Sequence, residues 1–208
     1  MLRYIWWAIK IAAAICVAAL LHYTLPQRDV VYITSTYNRV VQFGSNSIFW
    51  SSPDSGSNVA AGEVSRDVLF IESVQRSGRV MVYRNEDTGF WPPYLKFDSS
   101  NLQAEATDLV SNRADPQWVV LTHYGWRIPF LTAFPNAIAV RPTDDPDATL
   151  IPWFNIALLV VLFAIWWAIR VRWKRFRRAR VDPALLNAGA AYDERSAAAG
   201  RWLRSWRR

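Results

Sequence analysis

The chain has 208 residues, 52% of them apolar, with 12 tryptophans and a formal net charge of +7. Its single cysteine, Cys16, excludes an intrachain disulfide and any cysteine-based metal site. The charge is divided: residues 26–150 hold 10 Arg/Lys against 14 Asp/Glu, whereas residues 170–208 hold 12 against 3, which excludes a uniformly basic domain and points to a cationic tail with an anionic partner.

The first element is Tyr4–Leu25, a 22-residue apolar run with Lys10 one to two turns from its start. A lysine so placed can extend its ammonium to the headgroups of a bilayer, so the run is expected to be a transmembrane helix over 4–25. A cleaved signal peptide is the rival, since the basic start and the apolar run fit one. The following His22-Tyr23-Thr24-Leu25-Pro26 lacks the small residues of a cleavage site, and Ile15 before Cys16 argues against a lipoprotein. An uncleaved anchor is the favoured reading.

Residues 27–149 suit one small domain. Val30–Phe43, rich in Val, Ile, Thr and Tyr, reads as a strand. Gly44–Gly62 is a Ser/Gly/Asn loop with an aromatic island at Phe49-Trp50. Arg66–Gln75 alternates Val68, Phe70 and Val74 with more polar neighbours, although Leu69 and Ile71 blur the alternation. Ser77-Gly78 turns the chain into a hairpin partner over Arg79–Glu86. Asp87–Tyr94, with its two prolines, is an aromatic turn. Ser100–Asn112 reads as the helix, with Ser100 and Gln103 as a capping box and Leu102, Ala106, Leu109 and Val110 on one face. Strands follow from Trp118 to about Trp126 and over Asn136–Arg141. The fold class is therefore a small α+β, mainly-β domain of five strands and one helix flanked by two transmembrane helices. Three strands, a helix and two strands is the order of the five-stranded barrel called the OB-fold, and a generic α+β sandwich is the alternative.

Ile151–Ile169 carries no charge over 19 residues, roughly 28 Å of helix, close to the hydrocarbon thickness of a bilayer. A buried core helix of this length would show a polar stripe, and only Asn155 interrupts the run. Arg170, Arg172, Lys174, Arg175, Arg177, Arg178 and Arg180 follow, and the positive-inside rule sets this basic tail, 170–208, in the cytoplasm of a bacterial inner membrane. Two crossings return the N-terminus to the same side and leave residues 27–149 in the periplasm. The tail is expected to bind an anionic inner leaflet, with Trp202 and Trp206 on one side of a terminal interfacial helix. Nucleic acid, the rival partner for a basic segment, is not expected next to a bilayer.

Within the domain the densest polar cluster is Arg84-Asn85-Glu86-Asp87, followed by Trp91 and Tyr94. Arginine beside exposed aromatics suits a protein or ligand surface, whereas charge runs of this kind are more often solvated turns or internal salt-bridge networks. His123, within Thr122-His123-Tyr124-Gly125-Trp126-Arg127, shares a strand face with Val119 and Leu121. It reads first as a half-buried structural histidine and second as a general base. The candidate surface is thus Arg84, Asn85, Glu86, Asp87, Trp91, Tyr94, His123, Tyr124, Trp126 and Arg127. No metal, cofactor or catalytic set is recognisable, and neither a G-x-S-x-G nor a phosphate-binding glycine loop occurs.

Four segments carry a resemblance: Val82–Thr88, Trp91–Phe97, Leu102–Ala106, and His123–Phe130 through Phe134–Ala137. They resemble a proteobacterial family known as domain of unknown function 1523. The resemblance implies an inner-membrane protein and no particular reaction. Three functions remain open: an accessory or assembly protein presenting its domain to an envelope partner, a tethered periplasmic enzyme using His123 with Glu86 or Asp87, and a ligand-binding envelope sensor.

Overall fold

The computed structural model describes residues 2–42, 65–89 and 92–205, in two compact units, Met1–Pro152 and Trp153–Arg208. The loop expected over 44–62, with its aromatic island, lies outside the described residues.

The first unit opens with helix α1, Leu2–Thr24. Its alanine-, isoleucine- and leucine-rich sequence holds no helix breaker until Pro26, which disfavours helical backbone at Leu25. The Thr24 hydroxyl turns back onto the Leu20 carbonyl at 2.8 Å. Residues 3–18 are exposed throughout, and α1 is long and apolar enough to cross a membrane.

Strand β1, Gln27–Gln42, begins after a two-residue link from the helix. With β2 (Ser65–Gln75), β3 (Val80–Asn85), β4 (Trp118–Tyr124) and β5 (Asn136–Pro142) it forms a closed barrel in the order β1-β2-β3-β5-β4. Helix α2, Ser99–Asp108, lies between β3 and β4 in sequence, as the OB-like order requires. All pairings are antiparallel except β3 with β5. Gln27 pairs with His123 and His123 with Ala137. The adjacent Asn136 pairs with Arg84, Arg84 with Phe70, and Phe70 with Tyr37. One circuit therefore returns to β1 ten residues further along, from 27 to 37. Such a stagger requires strongly tilted strands and one long strand that serves both edges. β1 fills that role and carries a register shift between Ile33 and Ser35.

The core joins Val31, Ile33, Ile71, Tyr83, Val119, Leu121, Ala137 and Val140 with Leu102 and Ala106 of α2. The blurred alternation of β2 has a structural cause. Ile71 points to this core, whereas Phe70 lies on the opposite face under Tyr37 and Phe134. Both faces of β2 are covered, which is why apolar residues occupy both parities. The capping box is corrected: α2 starts after Asp98 with no side-chain cap of its own. Asp87 instead accepts from the Ser99 N–H at 3.0 Å and from its hydroxyl at 2.6 Å.

In the second unit α3 runs over Trp153–Phe176, past the expected end at 169, and continues through a π-turn at Arg177–Val181 into α4, Asp182–Ser205. Pro183 accounts for the π-turn, because an interior proline clashes with the carbonyl four residues back. The helix widens there, and the Asp182 N–H bonds to Arg177 O, five residues back. The expected tail helix is thus an extension of the second apolar helix. Arg170, Arg172, Lys174, Arg175, Arg177, Arg178 and Arg180 are all exposed along it. Trp206 and the side chain of Trp202 lie outside the described residues.

Gly125 follows β4 with φ +91°, and a Cβ there would meet Pro135 Cα at 3.5 Å and Tyr23 Cε2 at 3.6 Å. Gly125→Ala should destabilise the folded chain by about 1–2 kcal/mol in thermal or denaturant unfolding in detergent. Gly89→Ala, where φ is not left-handed and no atom of the described residues lies within 4 Å, should change it by less than about 0.5 kcal/mol.

Candidate functional site

Two buried polar groups and one open groove bring the chemistry-bearing residues together. The first group sits on the inner face of the barrel. Asp29 and Val31 share a face of β1, as do His123 and Leu121 on β4, so the Asp29 carboxylate meets His123 inside. His123 Nε2 lies 3.2 Å from Asp29 Oδ2. The same oxygen accepts from the Tyr83 hydroxyl at 2.5 Å and from Gln75 Nε2 at 3.3 Å. Gln75 is held in turn by Arg79 Nε at 2.9 Å. Burial alone would raise the Asp29 carboxyl, but the bonds from His123, Tyr83 and Gln75 outweigh it and hold the group below its ordinary value. Burial and the neighbouring Asp29 charge push Tyr83 strongly upward, so its phenol remains a donor.

The second group knots together the end of β3, the loop after it and the start of β5. Lys96 Nζ donates to Asn85 Oδ1, to Ala137 O at 2.8 Å and to Glu86 O at 3.4 Å. Burial draws its ammonium down to about 8, with Asp87, Asp98 and Glu86 pulling the other way. Asn85 Nδ2 donates to Ser99 O at 2.8 Å and Gln103 Oε1 at 2.9 Å, which ties α2 to β3. Asn136 Oδ1 accepts from the Glu86 N–H at 2.9 Å, and Asn136 Nδ2 donates to Glu86 O at 3.0 Å. Arg84 Nη1 pairs with Glu86 Oε2 at 2.9 Å, both side chains being almost wholly buried.

This knot is also the seat of α1. Tyr94 stacks on Tyr124 with ring centroids 5.0 Å apart, and its hydroxyl donates to the Thr24 carbonyl. Tyr23 meets Trp126 edge-on at 5.4 Å, and Trp126 Nε1 donates to His22 Nδ1 at 2.8 Å. The Gly125 N–H donates to Tyr23 O at 2.9 Å.

The groove lies on the outer face of β1 and β2. Phe70 is its floor; Tyr37, stacked on it at 5.3 Å, and Phe134, edge-on at 5.3 Å, are its walls. Arg39, Val40, Val41 and Thr132 complete the lining, and the cavity measures about 510 Å³. Arg127 stacks over Phe134 at 4.2 Å from the ring centre and donates to Ala133 O at 3.0 Å. A shallower groove along α2, lined by Leu69, Ser100, Gln103, Ala104, Thr107 and Asp108, is larger at about 640 Å³ but holds no aromatic ring.

These positions redraw the candidate surface. Arg84, Asn85, Glu86, His123 and Tyr124 are buried, so they are interior groups and not an exposed turn. Arg84 and Glu86 meet as an internal ion pair, Asn85 and Tyr124 meet hydrogen-bond partners inside, and His123 stands against the Asp29 carboxylate, its Nδ1 without a hydrogen-bond partner among the described residues. Asp87 is exposed and caps α2; Tyr94 and Trp126 are half-buried against α1; Arg127 is exposed; Trp91 lies outside the described residues. The carboxylate that meets His123 is Asp29, and not Glu86 or Asp87. Asp29, Lys96, Tyr37, Arg39, Phe70 and Phe134 are not among the site candidates drawn from the sequence. Only Lys96 gave a signal, as a lone lysine between Tyr94-Leu95 and Phe97.

Residues 2–177 match the family described as "Protein of unknown function (DUF1523)". This chain belongs to that family. A protein of Haemophilus influenzae (strain ATCC 51907 / DSM 11121 / KW20 / Rd), described as "Uncharacterized protein", is 36% identical over 151 residues, covering 70% of this chain and 80% of that one. No solved structure matches the chain.

Asp29 gives a test with a defined sign. A carboxyl held below its ordinary value contributes stability above its unfolded pKa and loses it as pH falls through the folded one. The melting temperature of the Asp29→Asn variant in detergent should therefore lie below that of the parent near neutral pH. The difference should shrink as pH drops below about 4. A difference independent of pH would contradict the assignment.

Proposed function

We propose that this protein is a membrane-anchored interaction module that presents the outer groove of its barrel to another protein of the bacterial envelope. In this reading α1 is retained as an anchor, α1 and α3 both cross the inner membrane, and residues 27–149 stand in the periplasm. The cationic helix after residue 170 lies on the anionic inner leaflet. Retention of α1 is supported by the contacts of His22, Tyr23 and Thr24, which a cleavage at that point would remove from the barrel.

The groove carries the reading. Its floor and walls are three aromatic rings, and Arg39 and Arg127 stand beside them. Aromatic and arginine side chains around a pocket are the composition of interface hot spots. Such a groove fits an apolar side chain that has a carboxylate next to it.

A tethered enzyme is the second reading, and the 3.2 Å Asp29–His123 contact is the observation in its favour. It ranks lower because His123 is only 5% exposed and borders neither groove.

A photo-reactive residue at Tyr37 in the full chain, in native membranes, tests the proposal. It should give one discrete adduct that Arg39→Glu and Phe134→Ala each abolish, and that a probe at Arg113 does not give. Adducts unchanged by both substitutions, or equal labelling from position 113, would sink it.

A further inference from the structure

Only Leu25 and Pro26 separate the end of α1 at Thr24 from the start of β1 at Gln27. The apolar span Arg3–Thr24 has 22 residues, which as helix covers about 33 Å, slightly more than a hydrocarbon core of about 30 Å. In the spanning reading of α1 the whole helix is used in the crossing, and the membrane boundary falls at its last turn. That turn is where the barrel sits, through the contacts of His22, Tyr23 and Thr24 with Trp126, Gly125 and Tyr94. No spacer lifts the barrel off the surface. The loops around the helix exit are therefore at headgroup level.

Two loops reach that exit, one over 92–98 through Tyr94 and one over 125–135 through Gly125 and Trp126. Three large apolar side chains on them point away from the protein: Leu95 is 58% exposed, Phe97 71% and Phe130 85%. Among the described residues, Phe97 and Phe130 are the exposed large aromatics of the barrel; the other exposed apolar side chains of residues 27–150 are Leu95 and three valines, Val40, Val80 and Val110. Leu95 is held with φ +48° between Tyr94, bonded to α1, and the buried Lys96. A branched residue with left-handed backbone is a strained display that its neighbours must enforce. Thr132, next to the Pro129–Leu131 turn that carries Phe130, is likewise left-handed at φ +47°.

We propose that Leu95, Phe97 and Phe130 insert into the interfacial layer of the same bilayer that α1 enters, so that the barrel rests on the membrane surface by its base. This rests on the reading of α1 as a spanning helix. Aromatic side chains favour the interface, and amphipathic surfaces bind there by burying apolar area among the headgroups. The contact fixes the barrel's orientation, which a single helix joined by a free linker would not.

The test uses the full chain, one copy per lipid nanodisc, with spin labels on single cysteines. The native Cys16, inside α1, reports the span itself. In a Cys16→Ser background, labels replace Leu95, Phe97, Phe130 and, as the distal control, Arg113, which is exposed beyond the far end of β4. Collisions with dissolved oxygen and with a water-soluble nickel chelate are compared. Labels at 95, 97 and 130 should be several-fold less accessible to nickel than the label at 113, and less lipid-immersed than the label at Cys16. If Cys16 is shielded from nickel while 95, 97 and 130 are as accessible as 113, the insertion is overturned and the spanning helix stands. If Cys16 itself is open to nickel, the spanning reading falls and the insertion with it.

Discussion

The two-residue junction between α1 and β1 constrains everything at the base of the barrel. A helix that ends at Thr24 and a strand that starts at Gln27 leave no chain to absorb a change of direction. The barrel must therefore be built against the helix end. Tyr94 and Trp126 take up His22, Tyr23 and Thr24 with two hydrogen bonds and an edge-on ring contact, and Tyr124 backs Tyr94. Gly125 is required because its φ of +91° is one that L side chains rarely adopt, at a point where a Cβ would lie in contact with Tyr23 and Pro135. The knot of Lys96, Asn85, Glu86 and Asn136 then fixes the loop that carries Tyr94.

That knot explains an otherwise costly choice. Burying an ion pair such as Arg84–Glu86 rarely adds stability over an apolar pair of the same size, but removing one partner is expensive. Buried ionic groups can instead hold one arrangement against its alternatives. Here they hold the β3 end, the β5 start and the loop between β3 and α2 in register. Lys96 alone joins three of these segments through Asn85, Glu86 and Ala137. The groove is free of such duties. Phe70, Tyr37 and Phe134 cover one another, and Arg39 remains exposed at the rim.

Much of the fold was legible in the sequence because it rests on periodicity and length. Uninterrupted apolar runs mark α1 and α3, and alternation broken by Ser77-Gly78 marks the β2–β3 hairpin. The spacing of Leu102 and Ala106 marks the buried face of α2. What could not be read was anything set by residues distant in sequence. The α2 cap comes from Asp87, outside the helix, so Ser100–Gln103 was a false local signal. The alternation of β2 is blurred because loop residue Phe134 covers the face opposite the core. Arg84–Asp87 left two readings open in the sequence, a solvated turn or an internal salt-bridge network, and the buried Arg84–Glu86 pair, enclosed by Asn136 and Lys96, is of the second kind. Asp29 meets Tyr83 and His123 only after the barrel closes.

The last turn of α1 is a working part of the barrel's base and not a neighbour of it. A double-mutant cycle between Tyr23 and Trp126, whose rings stand edge-on at 5.4 Å, measures that directly through unfolding of the full chain in detergent. Tyr23→Ala, Trp126→Ala and the pair should give a coupling energy of about 0.5–1.5 kcal/mol. Strict additivity of the two substitutions would mean that helix and barrel are joined by the chain alone, and would contradict the account.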